Sequence, residues 1–162
     1  SMVANLTVKN RKFRSSWEEM LELAPEAQGV KEFLLDAIDE DTRAFNEWMQ
    51  AARSKGDVQS AVKRAVEVPL GVLEKSVKVA AMADALVERG MQSSLSDAGV
   101  AAAAAEACAT GAYYNVLINL PEIEDGDYRA KTADKAAGLL AETCAAAKEV
   151  RQKVTAKLKK ED

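Results

Sequence analysis

Apolar residues recur at helical spacing in four long stretches of this chain, and no stretch alternates apolar and polar residues with the period of a strand. In Val30–Ala52 the residues Leu34, Ile38, Phe45 and Trp48 share a stripe, and Asp41 falls on it too. Val58, Val62, Ala65, Pro69, Leu73, Val77, Ala80 and Val87 run down one face of a second stretch, where Pro69 predicts a kink. A third carries Val100, Ala104, Ala107, Gly111 and Ile118, a seam of unusually small residues. The last shows a heptad-like stripe of Ala133, Ala137, Leu140, Cys144, Ala147, Val154 and Leu158, broken by Arg151.

Local signals set the expected boundaries. Ser16 with Glu19 resembles a capping box, and Pro25 and Gly29 are expected to kink or split the helix that follows. Ser54-Lys55-Gly56-Asp57 breaks the chain, Arg89-Gly90 closes the second stretch, and Ser96 reads as an N-cap with Asp97 in the first turn. Leu120-Pro121 ends the third stretch, Asp125-Gly126-Asp127 makes a turn, and Lys157–Asp162 reads as a charged, frayed end. These elements predict an all-α fold: a single domain over residues 1–162, built as an antiparallel bundle of long, partly kinked helices. The alanine-rich seam leaves a shallow core unless another helix packs on it, so a homodimer is expected.

Composition narrows the chemistry. Among 162 residues there is no histidine, which excludes Ser-His-Asp and Cys-His nucleophile systems, helical zinc motifs and the Glu-x-x-His di-iron site. Acid–base work falls to carboxylates, lysines or tyrosines. Cys108 and Cys144 show no Cys-x-x-Cys spacing, read as buried structural thiols, and suit a reducing cytoplasm. The net charge of −4 argues against nucleic acid as the main partner, although Lys9, Arg11, Lys12 and Arg14 cluster around Phe13 as a solvated helix end or a dock for an anionic ligand tail. No apolar run reaches the length of about 18 residues that a membrane helix needs, so no membrane partner is expected.

Asp41 is the residue that does not fit. A core-facing stripe normally excludes an unpaired carboxylate, whose burial costs several kcal/mol or forces it to take a proton. It is therefore the candidate working group, the alternative being a bridge to an arginine or lysine across a dimer seam.

Four motifs occur in order: Ile38-Asp-Glu-Asp-Thr-Arg-Ala-Phe45, Glu67-Val-Pro-Leu70, Ser96-Asp-Ala-Gly-Val100 and Gly111-Ala-Tyr-Tyr-Asn-Val-Leu-Ile-Asn-Leu120. Over most of Met2–Tyr128 the chain resembles the cyclodeaminase domain of formiminotransferase-cyclodeaminase, a family that includes stand-alone bacterial methenyltetrahydrofolate cyclohydrolases. The resemblance implies an all-helical dimer acting on a one-carbon derivative of tetrahydrofolate as substrate, with no metal and no further cofactor. It also implies that Asp41, the second acid of an Asp-x-Asp motif, is catalytic. Asp97 is read either as a helix-start carboxylate or as a ligand to the amino-pyrimidine edge of a pterin. Asn115 and Asn119, one turn apart, form a helix-end network or read the same pterin. Asp97 lies roughly 27 Å along the helix from Asn115 at ~1.5 Å per residue, so they serve opposite ends of a long ligand or meet through a dimer partner. Tyr113 and Tyr114 either pack or stack on a pterin.

Family members usually open on a Pro-Gly-Gly-Gly-Ser segment and an apolar helix, and Ser1–Val8 reads as the tail of such a helix. The family's Leu-Pro-Lys connection is shortened here to Ala52–Asp57. An upstream segment is therefore expected. From a different class, the competing expectation is a non-catalytic helical dimer that keeps the family scaffold as an assembly module.

Overall fold

The four predicted stretches are four long helices, and a short one precedes them. The computed structural model describes residues 1–54 and 56–159, and its helices are α1 (Met2–Val8), α2 (Trp17–Ser54), α3 (Val58–Arg89), α4 (Leu95–Asn119) and α5 (Gly126–Leu158). Among the described residues there is no strand, and no helix is long and apolar enough to cross a membrane. Lys55 of the expected breaker and residues 160–162 of the expected frayed end lie outside the described residues, while Lys157 and Leu158 are still helical.

Aspartates start two of the helices. The side chain of Asp57 accepts the Ser60 N–H at 2.9 Å, and that of Asp125 accepts the Tyr128 N–H at 3.0 Å, so each fills a donor left open by the first turn. The predicted Ser16 cap is displaced, because a 3-10 turn over Arg11–Ser16 leads into α2 and Asn10 caps it by accepting from Lys12 N–H. At the other boundary α4 begins one residue earlier than expected, at Leu95, with Ser94 in the cap position and Asp97 in the first turn.

The two helical prolines behave differently for a physical reason. Pro25 does not split α2; its missing N–H frees the carbonyl of Leu21, an exposed residue. Pro69 is buried in α3, and the carbonyl it frees is that of Ala65. Nδ2 of Asn119, at the end of α4, donates to Ala65 O at 3.1 Å and to Asn115 O at 3.0 Å. The break in one helix is thus repaired by the end of another, which fixes where α4 lies on α3.

Gly90 ends α3 by close approach. Its φ is −79°, open to any residue, but a Cβ there would sit 2.5 Å from Leu86 O. Gly90→Ala is expected to cost about 1–3 kcal/mol in urea unfolding, because the tight exit must open.

α3 is the central helix, with α2, α4 and α5 packed around it. Met20, Leu23, Val87, Leu95 and Val150 anchor one apolar cluster, and Val62, Val66, Leu73, Val116 and Ile123 the other. The stripe predicted for α4 is corrected: Val100 and Ile118 are 68% and 73% exposed, and the face that packs inside the chain is Leu95, Ala98, Ala102, Ala105, Ala109, Ala112 and Val116. Alanine occupies every position from 101 to 105, so spacing alone could not fix the phase. In α5 the buried line runs Thr132, Ala136, Thr143, Ala147, Val150, Val154, with Ala137 and Leu158 exposed. Thr143 joins the core because its hydroxyl donates to Leu139 O at 2.8 Å, which removes the cost of burying it. Lys153 ties α5 to α3 through Asp84 at 2.7 Å and to Glu149 at 3.1 Å, and hydrogen bonds from its ammonium to Asp84, then Glu149, hold it charged well above the usual lysine range.

Candidate functional site

α2 and α4 both rest on α3 but scarcely touch each other, and the gap between them is a groove floored by α3. Where Asp41 sits it has a volume of about 380 Å³. α2 supplies Leu34, Ala37, Ile38 and Asp41, α3 supplies Val68, Pro69 and Val72, and α4 supplies Cys108, Ala112 and Asn115. The stripe that carries Asp41 therefore faces a groove rather than the core. The residues of α2 that reach the core are one step round, at Val30, Ala37 and Ala44, while Ile38, Asp41 and Phe45 are exposed.

The three consecutive acids Asp39, Glu40 and Asp41 have different fates. Arg43 reaches Asp39 at 4.0 Å and also pairs with Glu40, and Arg64 of α3 pairs with Glu40 at 2.6 Å and Glu47 at 3.3 Å. The hydrogen bond from Arg64 holds the Glu40 carboxyl below the usual carboxylate range, with Arg43 adding to it. Asp41 takes no ion pair among the described residues. A larger cleft on the opposite flank of α2, about 650 Å³, contains Asp39, Glu40, Arg43, Arg64 and Glu67. Most of its charges are already paired. Its walls meet where Phe33 faces Gly71, at which a Cβ would lie 3.0 Å from the Phe33 ring.

The other predicted positions separate. Asn115 lines the groove with Asp41. Asn119, one turn on, has its amide nitrogen engaged by the two backbone carbonyls described above. Asp97 is exposed in the first turn of α4, roughly 27 Å along the helix from Asn115 by the ~1.5 Å rise. Tyr113 packs in the core cluster and Tyr114 is exposed; neither lines the groove. Cys108, expected as a buried thiol, is exposed on the groove wall, and Cys144 is half-buried on α5. Its position on the wall follows from the phase of α4, which alanine spacing left open.

These features define an all-α bundle protein whose one open carboxylate on the Asp39–Asp41 step borders a ligand-sized, mostly apolar groove. Residues 1–138 match the formiminotransferase-cyclodeaminase family, and the chain belongs to that family. It is 28% identical over 169 residues to methenyltetrahydrofolate cyclohydrolase of Methylorubrum extorquens, covering 98% of this chain and 81% of that protein. It is 33% identical over 156 residues to formimidoyltransferase-cyclodeaminase of Sus scrofa, covering 88% of this chain but only 28% of the pig protein. The crystal structure of formiminotetrahydrofolate cyclodeaminase from Thermotoga maritima superposes with a TM-score of 0.91 at 28% identity, covering 97% of this chain and 80% of that one.

Proposed function

We propose that the chain is an enzyme of folate one-carbon metabolism, a formiminotetrahydrofolate cyclodeaminase or a methenyltetrahydrofolate cyclohydrolase, with Asp41 as its general acid and base. The observation that carries this reading is the isolation of Asp41: its two neighbours are tied to arginines, while it borders the groove beside Asn115. In the deaminase reaction N10 attacks the formimino carbon on N5 and loses a proton, and the amine leaves as ammonia after gaining one. In the hydrolase reaction water adds to the methenyl carbon and loses a proton, and N5 is released protonated. One carboxylate takes the first proton and delivers the second, and its charge stabilises the amidinium-like cation common to both. Neither proton balance calls for a metal or a redox cofactor. The Asn115 amide supplies a neutral donor and acceptor for the pterin edge, and Asn119 holds that part of α4 in place.

The chain acts as a homodimer in this reading. From Asp97 to Asn119 the only charged residues of α4 are Asp97 and Glu106, and Glu106 is paired with Arg151 of α5. An exposed helix face without charge, lined by Ala104, Ala107 and Gly111, is self-complementary and fits a second copy packed antiparallel. A two-fold axis level with Glu106, midway between residues 97 and 115, sets Asp97 of the partner subunit beside Asn115. That resolves their separation within one chain. Ala107→Arg is expected to give a monomer by sedimentation and to lose activity with it.

The direct test offers the purified chain 5-formiminotetrahydrofolate and 5,10-methenyltetrahydrofolate and follows the methenyl absorbance, with ammonia release assayed in parallel. Specific ligand at about 100 times its Kd adds roughly 2.7 kcal/mol to stability. No turnover of either compound and no shift in melting temperature would remove the folate reading. The supporting comparisons are the relatives' names, one a hydrolase and the others deaminases.

A further inference from the structure

The groove at Asp41 continues. Leu34 and Ile38 wall it and also wall a second hollow of about 390 Å³, which runs along α3 past Val79, Met82 and Leu86 toward the start of α2. This extension is apolar except at Ser1 and Lys31. Lys31 is exposed and has no ion pair among the described residues. Positions 31, 34, 38 and 41 follow one another at steps of three and four, so Lys31 and Asp41 stand on one face of α2. Ten residues separate them, about 15 Å of helix rise. A cation, an apolar channel and a carboxylate therefore lie in line.

A tetrahydrofolate derivative, the ligand class proposed above and on which this inference rests, has the complementary order. Its one-carbon centre is cationic, its middle is an aminobenzoyl ring, and its glutamyl carboxylates lie roughly 10–13 Å beyond N10 by summed bond lengths. With the centre at Asp41, the ring falls against Leu34 and Ile38 and the carboxylates reach the lysine ammonium. We propose that the second hollow receives the aminobenzoyl ring and that Lys31 pairs with the glutamyl carboxylate, making it a specificity residue for the acidic tail.

The test compares wild type with K31E and K31R on two substrates, 5,10-methenyltetrahydrofolate and the corresponding tetrahydropteroate that lacks glutamate. K31E is expected to raise KM for the glutamyl substrate about tenfold, with kcat unchanged and KM for the tail-less substrate unmoved. K31R restores the wild-type KM, and added salt narrows the gap between the substrates. Lys31 stands beyond a Debye length from Asp41, about 8 Å in physiological salt, so a kcat effect is not expected from the charge alone. Equal KM shifts on both substrates, or none on either, would overturn the assignment of Lys31 and leave the folate reading standing. A wild type that neither binds nor turns over either substrate overturns both.

Discussion

Asp41→Asn is expected to lower turnover of the formimino or methenyl substrate by about 10²–10⁴-fold, the usual contribution of a positioned acid–base group, and to leave the melting temperature unchanged. The two halves of that result have separate causes. Asn has the shape and polarity of Asp but cannot accept a proton from N10 or from water, nor offset the charge of the cation. Asp41 is exposed and holds no ion pair, so its replacement breaks nothing that supports the helix. Glu40→Gln is the matched control one residue away. It severs the pairs from α2 to Arg64 and within α2 to Arg43, yet it faces the opposite cleft, so kcat should stay near wild type. Stopped-flow absorbance at the methenyl band under saturating substrate reads both. Equal rates for Asp41→Asn and wild type would take Asp41 out of the mechanism even if folate binds.

Much of this architecture is written in local signals. Asp57 and Asp125 start their helices where turn chemistry predicts, and Leu120-Pro121 stops α4 where a missing donor must. What spacing could not supply was rotational phase. Every residue from Ala101 to Ala105 is equally able to pack, so the inward face of α4 was decided by contacts with α3 and α5 that no single helix contains. Thr132 and Thr143 were passed over in α5 because a hydroxyl counts as polar until its own helix satisfies it. Asp41 was visible as a misfit, but its reason was misread: the stripe it interrupts lines a groove, and a carboxylate is at home there. Glu67 was the expected partner for the carbonyl freed at Pro69; Asn119, fifty residues on, fills that place. Lys31 gave no signal at all, since one lysine on a helix surface is ordinary until the cavity beside it is known.

Leu73→Ala should produce the largest loss of stability, about 2–5 kcal/mol. Leu73 is fully buried on α3, among Val62, Val66, Ala109, Ala112, Val116 and Ile123. With Met20 and Ile123 it is one of the few large side chains in a core built mainly from alanine and valine. Alanines on the inward face of α4 hold the two helices close, and the tie from Asn119 to Ala65 restrains them further. Neighbours with no side chain to extend cannot refill the space, so most of the cavity persists and its cost adds to the lost burial. For a domain of this size each kcal/mol moves the melting temperature by about 2–4 °C, giving a fall of roughly 5–15 °C. Calorimetry measures it, and urea unfolding should show a lower midpoint at the same slope. Because Leu73 points away from the groove that its neighbour Val72 lines, folded molecules should keep the wild-type kcat at low temperature. A loss below about 1 kcal/mol would mean that α4 slides toward α3 to close the void. Activity would then fall as well, since the same movement displaces Asn115 from Asp41.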